Sequence, residues 1–286
     1  MVVQNTNKYE LGLNLYGLNK QLLEGSDYIY GELSKIGFKY IEPTIFCKSE
    51  VEEYVKKGLV LGGAIWEQEK ISEYITQLKS HNLLVSSIFV QYLGNTDINE
   101  LIEAAVNIAR ETGIKRFVSA PKMDSKEECE RIAKSVGYIA DELKKHDIEY
   151  FYHNHDRELK IIDVNGENKY ILDYFLELTS ENVSMELDIG WIELADASIT
   201  ECLEKYAFRI GLIHLNDLLI NRIPGDRHTC WAAVGCGSVE LEKVAEIVQK
   251  LELREHILLI DQEYSERSML EELSIGYSNI RQAFIL

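Results

Sequence analysis

The stretch YFYHNHDREL, residues 150 to 159, holds two of the chain's 7 histidines, His153 and His155, together with Asn154, Asp156 and Glu158. Imidazoles and carboxylates gathered this closely serve either of two chemistries, ligation of a metal ion or transfer of a proton. A polar strand end hydrogen-bonded to its neighbours would use the same residue types. In an extended segment side chains two apart share a face, so His153 and His155 point the same way, as do Asp261 and Glu263 in LLIDQE. What decides between these uses is which other groups are brought to the same place.

The elements that would bring them follow a recurring unit, a short apolar run rich in β-formers and then a longer segment of helical spacing. Eight runs read as strands, at 11–17, 38–43, 83–90, 115–121, 148–155, 183–191, 209–217 and 256–263. Between them lie helices with identifiable ends. Ser125 and Glu128 stand in capping-box spacing ahead of a stripe of Cys129, Ile132, Val136, Ile139 and Leu143, and basic residues fill the last turn. DINELIEAAVNIARETG repeats the pattern with Ile98, Leu101, Ala105 and Ile108 and stops at Gly113. Eight strands alternating with helices predict a single-domain α/β fold over 1–286, a (β/α)8 TIM barrel. A doubly wound dinucleotide-binding sheet is rejected, because the one Gly-rich match, GCGSVE at 235–240, follows the seventh strand and lacks the third glycine.

Active sites of such barrels sit at the C-terminal ends of the strands. Reading where each apolar run stops gives Asn14, Glu42, Gln91 and Lys122 from the first four. The fifth gives His153, His155 and Glu158, the sixth Asp188, the seventh His214 with Asn216 and Asp217, and the eighth Asp261 and Glu263. Each has a plain structural use alone: Asp188 can cap a loop and His214 can be a hydrogen-bonded core residue. Together, carboxylates and imidazoles delivered to one rim are costly to desolvate unless a cation or a substrate compensates them. A divalent ion such as Mn²⁺, Mg²⁺, Co²⁺ or Zn²⁺ suits a mixed oxygen and nitrogen set.

On these motifs the chain resembles the xylose-isomerase-like barrels, the sugar phosphate isomerase/epimerase group that includes ketose 3-epimerases and inosose dehydratases. The resemblance runs over nearly the whole chain. It rests on LGLNLYGL and LSKIGFKYIEP, then YHNHDREL, ELDIGW, IHLNDL, VGCGSVELEKV and LLIDQEYS in that order. It implies a divalent ion held by strands five to eight, with Asp188, His214 and Asp261 as ligands. At strand five the epimerases place a glutamate, whereas this chain has Tyr152 or His153, so His153 is the implied fourth ligand, with Glu158 and His155 as alternatives. Relatives with the YHNH motif often read Glu-Gln-Asp where this chain reads Asp261-Gln262-Glu263, and Cys236 stands where an acid is common.

The activity implied is isomerisation or epimerisation of a ketose or keto-polyol by proton transfer next to a carbonyl, the ion acidifying the carbon while a carboxylate carries the proton. Glu158 and Glu263 are the candidate proton carriers. The missing strand-five glutamate weakens 3-epimerisation and leaves inosose-type dehydration as an alternative. Glu42, His155, Trp191 and Arg222 are the candidate substrate contacts, Trp191 against a sugar ring and Arg222 toward hydroxyls. His228 is expected to be exposed.

Composition narrows the partners. With 48 acidic against 30 basic residues, a formal charge of −18, the chain should repel nucleic acid and anionic membranes. This sets aside the DNA-repair endonucleases that share the barrel. No stretch is apolar enough to span a membrane, the start MVVQNTNKYE has no signal core, and 5 cysteines without CxxC pairing point to a reducing cytoplasm. The expected partner is a small-molecule sugar or cyclitol, unphosphorylated given the charge; self-association into a homo-oligomer stays open. A non-catalytic sugar-binding barrel that has lost its metal is the remaining alternative.

Overall fold

In the computed structural model, which describes residues 9–92, 96–251, 253, 257–265 and 267–285, the apolar runs form eight parallel staves. These are β1 (Glu10–Asn14), β2 (Tyr40–Glu42, resuming as Thr44–Phe46), β3 (Leu84–Val85, resuming as Ile88–Gln91), β4 (Arg116–Ser119), β5 (Glu149–His153), β6 (Val183–Asp188), β7 (Ile210–Leu215) and β8 (Ile257–Ile260). Each pairs with its sequence neighbour, and β8 returns to β1 with Leu13 opposite Ile260, so the ring closes. The expected start of the eighth run, His256, lies outside the described residues.

The second stave breaks at Pro43, which has no N–H to donate. Its carbonyl still accepts from Phe89 N at 2.9 Å, so β2 and β3 stay joined across the gap. Beyond the break, Thr44–Phe46 is flanked by the extra strand Ile65–Trp66.

The helices α1 (Asn19–Ile36), α2 (Ile71–Ser80), α3 (Ile98–Thr112), α4 (Lys126–Lys144), α5 (Ile171–Leu178), α6 (Ile199–Tyr206), α7 (Leu241–Lys250) and α8 (Met269–Ala283) clothe the ring. In the α3 stripe Leu101, Ala105 and Ile108 are buried and Ile98 is half-buried against the core, and the helix ends where Gly113 takes φ 80°. At α4 the Ser125 hydroxyl accepts the Glu128 N–H at 3.2 Å, but the Glu128 carboxylate takes the Asp124 N–H rather than that of Ser125. Elements that periodicity did not reveal are short: the helix Lys48–Lys56 after β2, the hairpin Ile161–Val164 with Glu167–Tyr170, and the hairpin Asp217–Leu218 with Trp231–Ala232.

Two layers of core follow from the period of two. Outward residues such as Tyr152 meet the helices, its ring centroid 4.4 Å from that of Phe175. Inward residues Val118, Phe151, Leu212, Ile257 and Leu259 pack in the barrel itself. One position further along each inward row, the apolar filling gives way to Glu42, His153, His214 and Asp261, all buried.

Candidate active site

Strand register sets neighbours in this polar layer: Glu186 lies beside His153, and Asp188 beside His214. The fifth stave therefore presents His153 inward and Tyr152 outward, and Tyr152 hydrogen-bonds the Pro121 carbonyl at 3.2 Å, away from the ring's centre.

Four atoms converge at the top. His214 Nδ1 is 3.8 Å from Asp188 Oδ2 and 3.6 Å from Asp261 Oδ2, and His153 Nε2 is 3.9 Å from Asp188 Oδ2. These separations exceed a hydrogen bond and lie at or a few tenths of an ångström above the edges of about 3.3–3.6 Å in a tetrahedral shell with ligand bonds of about 2.0–2.2 Å. His214 Nδ1 is buried without a hydrogen-bond partner, an expensive condition unless something electrophilic meets its lone pair. Among the described residues, His153, Asp188 and His214 form one group able to hold a metal ion, and Glu42, Glu186 and His214 a second. The first lies at the floor of the cavity, which His153 and His214 line. In the second, the carboxylates already face the N–H side of His214.

The imidazoles are aimed by the carboxylates beneath them. His153 Nδ1 lies 2.9 Å from Glu186 Oε2, while His214 Nε2 lies 3.0 Å from Glu42 Oε1 and 3.2 Å from Glu186 Oε1. With acceptors on those sides, a neutral ring keeps its proton there, so in the neutral form that a bound cation would favour His153 Nε2 and His214 Nδ1 turn lone pairs upward. Glu42 is fixed in turn by Asn14 Nδ2 at 2.8 Å and Ser87 Oγ at 2.5 Å. Asp188 accepts from Trp191 N at 2.8 Å and from Asn216 Nδ2 at 2.9 Å, so it caps the short helix Ile189–Leu194 with one oxygen and faces His153 and His214 with the other.

Electrostatics follow from burial. Loss of water, with the Asp261 charge, holds the Asp188 carboxyl well above its ordinary value. Burial would raise Asp261 as well, but His214, His153 and His155 bring it below. Burial pushes His153 down to about 3, helped by His214. For His214 burial acts downward, yet Glu186 and Glu42 outweigh it and leave the ring well above the usual imidazole range. Burial and then Asp261 push Glu263 up to about 8. A divalent charge among these groups would draw every one of them toward the deprotonated form.

Above this layer opens a cavity of about 1150 Å³, whose lining includes His153, His155, His214, Asp261, Glu263 and Trp191. Trp191 stands edge-on to His155 and Trp231, with centroids 4.9 and 4.8 Å apart, and Arg227 lies 4.9 Å over its ring. Exposed His228 joins the rim. Two expected substrate contacts, Arg222 and Glu42, and one expected proton carrier, Glu158, are elsewhere. Arg222 does not line the cavity and pairs at 3.6 Å with exposed Asp196; Arg227 occupies the mouth instead. Glu42 sits beneath the histidines as their support. Glu158 is turned under β5 by the tight turn Arg157–Leu159, where it accepts the His155 N–H at 2.8 Å and burial pushes it up to about 7.

The residue that strand-end reading passed over is Glu186. Its signal was present: it precedes Asp188 by two in MELDIGW and so shares its face. The GCGSVE stretch also has a local explanation. The Asp217 carboxylate accepts the N–H groups of Leu218, Gly235, Gly237 and Val239 at 2.8–3.0 Å, and the glycines let the backbone fold around it.

A model of the xylose isomerase-like TIM barrel family matches residues 31–276. Among solved structures, the chain is similar to a sugar phosphate isomerase/epimerase from Parabacteroides distasonis ATCC 8503, with TM-score 0.75 and 19% identity over 99% of this chain and 96% of that one. It is similar also to the IOLI protein with a binding zinc atom, with TM-score 0.62 and 14% identity over 97% and 96%. D-Psicose 3-epimerase with D-tagatose, from Clostridium cellulolyticum H10, gives TM-score 0.63 and 12% identity over 96% and 99%. Among curated proteins no sequence match is found.

Proposed function

The chain belongs to the xylose isomerase-like TIM barrel family, and from that premise we propose that it is a divalent-metal-dependent enzyme moving a proton next to the carbonyl of a ketose or keto-polyol, as an isomerase or epimerase. The observation that carries this reading is the nitrogen His214 Nδ1, buried without a hydrogen-bond partner and facing Asp188 and Asp261 within 3.8 Å. Together with His153 these residues would hold Mn²⁺, Mg²⁺, Co²⁺ or Zn²⁺, a choice supported by the zinc atom of the IOLI structure. A bound divalent ion would polarise a substrate carbonyl and acidify the adjacent C–H.

The chain's own residues then divide the remaining work. Glu263, on the cavity wall two residues beyond Asp261, takes and returns the proton, and the Asp261 charge beside it makes it a stronger base than an isolated carboxylate. Trp191 and His155 offer a flat wall against the sugar, and Glu186 and Glu42 keep the ligating imidazoles in one tautomer. A second reading, inosose-type dehydration, is favoured by one observation: among the described residues lining the cavity, Glu263 is the only glutamate. Inversion at carbon by two glutamates would need one on each face, whereas removal of a proton before loss of hydroxide needs one base.

Incubation of ketoses, inososes and keto-glycosides with Mn²⁺ in D₂O decides the matter by mass spectrometry. Deuterium at carbon in a recovered sugar is the expected result, and a product lighter by one water assigns dehydration. A protein that retains no divalent ion and exchanges no substrate proton would instead be a sugar-binding barrel without catalysis.

A further inference from the structure

The chain carries 48 acidic against 30 basic residues, yet one wall of the mouth, after β4, β5 and β7, is cationic. Lys122, Arg157 and Arg227 all line the cavity. Lys122 pairs with Asp124, which also has Arg157 Nε at 3.8 Å and Lys160 Nζ at 3.5 Å. Arg227 meets Asp156 at 2.7 Å. Within these pairs four cations face two carboxylates, an excess of two positive charges. Like charges held together at a partly desolvated mouth repel one another, so the arrangement is stabilised when an anion joins it.

The position of Arg227 adds direction. Its guanidinium lies over Trp191, which touches His155, whose ring lies 5.1 Å from that of His153. The Trp231 indole N–H donates to the Arg227 carbonyl at 3.2 Å and ties this part of the loop to the mouth. The cationic wall is thus two ring contacts from the proposed metal ligands. A cavity of about 1150 Å³ exceeds the roughly 300–1,000 Å³ usual for a drug-sized ligand, more room than one neutral sugar ring requires.

We propose that the substrate carries an oxyanion, a carboxylate or a phosphate, that docks on Arg157 and Arg227 with Lys122 at the edge, while its polyhydroxy-keto end reaches His153 and Asp261. This rests on the functional reading above for the keto end only; the oxyanion subsite stands on the cationic wall. Guanidinium forks match both kinds of oxyanion through two parallel hydrogen bonds. The acidic surface elsewhere does not oppose this, because a charge inside a cleft is felt more strongly than screened charges beyond about 10 Å.

Calorimetric titration of the full chain with D-fructose, D-fructose 6-phosphate and 5-keto-D-gluconate tests it, with and without a chelator. One or both anions should bind about tenfold or more tightly than fructose, and the tighter of the two identifies the group. R227M and R157Q should weaken anion binding about tenfold or more and fructose binding by much less, R227K should restore part of the anion preference, and circular dichroism should report an unchanged fold. Persistence of the anion preference in metal-free protein that binds no added Mn²⁺ would sink the metal reading and leave this one standing. Equal binding of charged and neutral sugars, equal loss of both in the arginine variants, or binding of none of the three would overturn it.

Discussion

One carboxylate, Glu186, lies beneath two imidazoles: its Oε2 hydrogen-bonds His153 Nδ1, and its Oε1 stands 3.2 Å from His214 Nε2, whose hydrogen bond goes to Glu42. Glutamine at 186 keeps the size but places an amide donor against one of those N–H groups, so one ring must change tautomer and withdraw its lone pair. E186Q should weaken metal binding by about 10- to 100-fold with an unchanged circular dichroism spectrum. Competition with a chromogenic chelator measures this, and wild-type affinity in E186Q would remove the orienting role. Glu158 makes a prediction about stability. Its folded value of about 7 lies above the ordinary carboxylate value, so its contribution is fully present below the unfolded value, near pH 4.5, and is lost as pH rises through about 7. E158Q, still able to accept the His155 N–H, should therefore flatten the fall in melting temperature between pH 5 and pH 8 seen for the wild type, a difference that thermal melts across that range would reveal. At this scale the sequence was legible where a polar residue broke an apolar run, as at Asp188, His214 and Asp261, which the fold brings together. Glu186 lay one step inside the strand, and Glu158 and Arg222 lay on turns whose direction no periodicity encodes.

Among the elements, the long amphipathic helices and the eight apolar runs could be read because burial of one stripe or one face leaves a repeating pattern. Breaks within a stave left no such pattern. Pro43 splits β2, yet the tube remains closed because a carbonyl serves where the missing N–H cannot. The Asp217 turn is a second element of this kind, a carboxylate wrapped by four amides. At Gly237 an added Cβ would overlap the Leu218 carbonyl and the Asp217 carboxylate. G237A should cost about 1–3 kcal/mol, and limited proteolysis should cut the segment between Asp217 and Leu241 sooner than in wild type. Equal melting temperatures and cleavage rates would mean that the turn accommodates a methyl group.

For the molecule as a whole, the charge of −18 pointed to a neutral ligand, whereas the mouth gathers lysine and arginine. The two statements concern different lengths. Net charge describes the field far from the surface, and a ligand inside a cleft responds to the few groups within reach. Those groups come from loops after three different staves, so their meeting could be known only once the ring had closed. The pairing of Trp191 and Trp231 at the cavity, 4.8 Å between rings and beside His155 and Arg227, has a practical consequence. The third tryptophan, Trp66, is stacked on Tyr74 within the wall formed after β2. Of the protein's three ultraviolet chromophores of this type, Trp191 lines the cavity with Trp231 packed behind it, so the light this pair emits will register occupancy directly, with no dye or label attached.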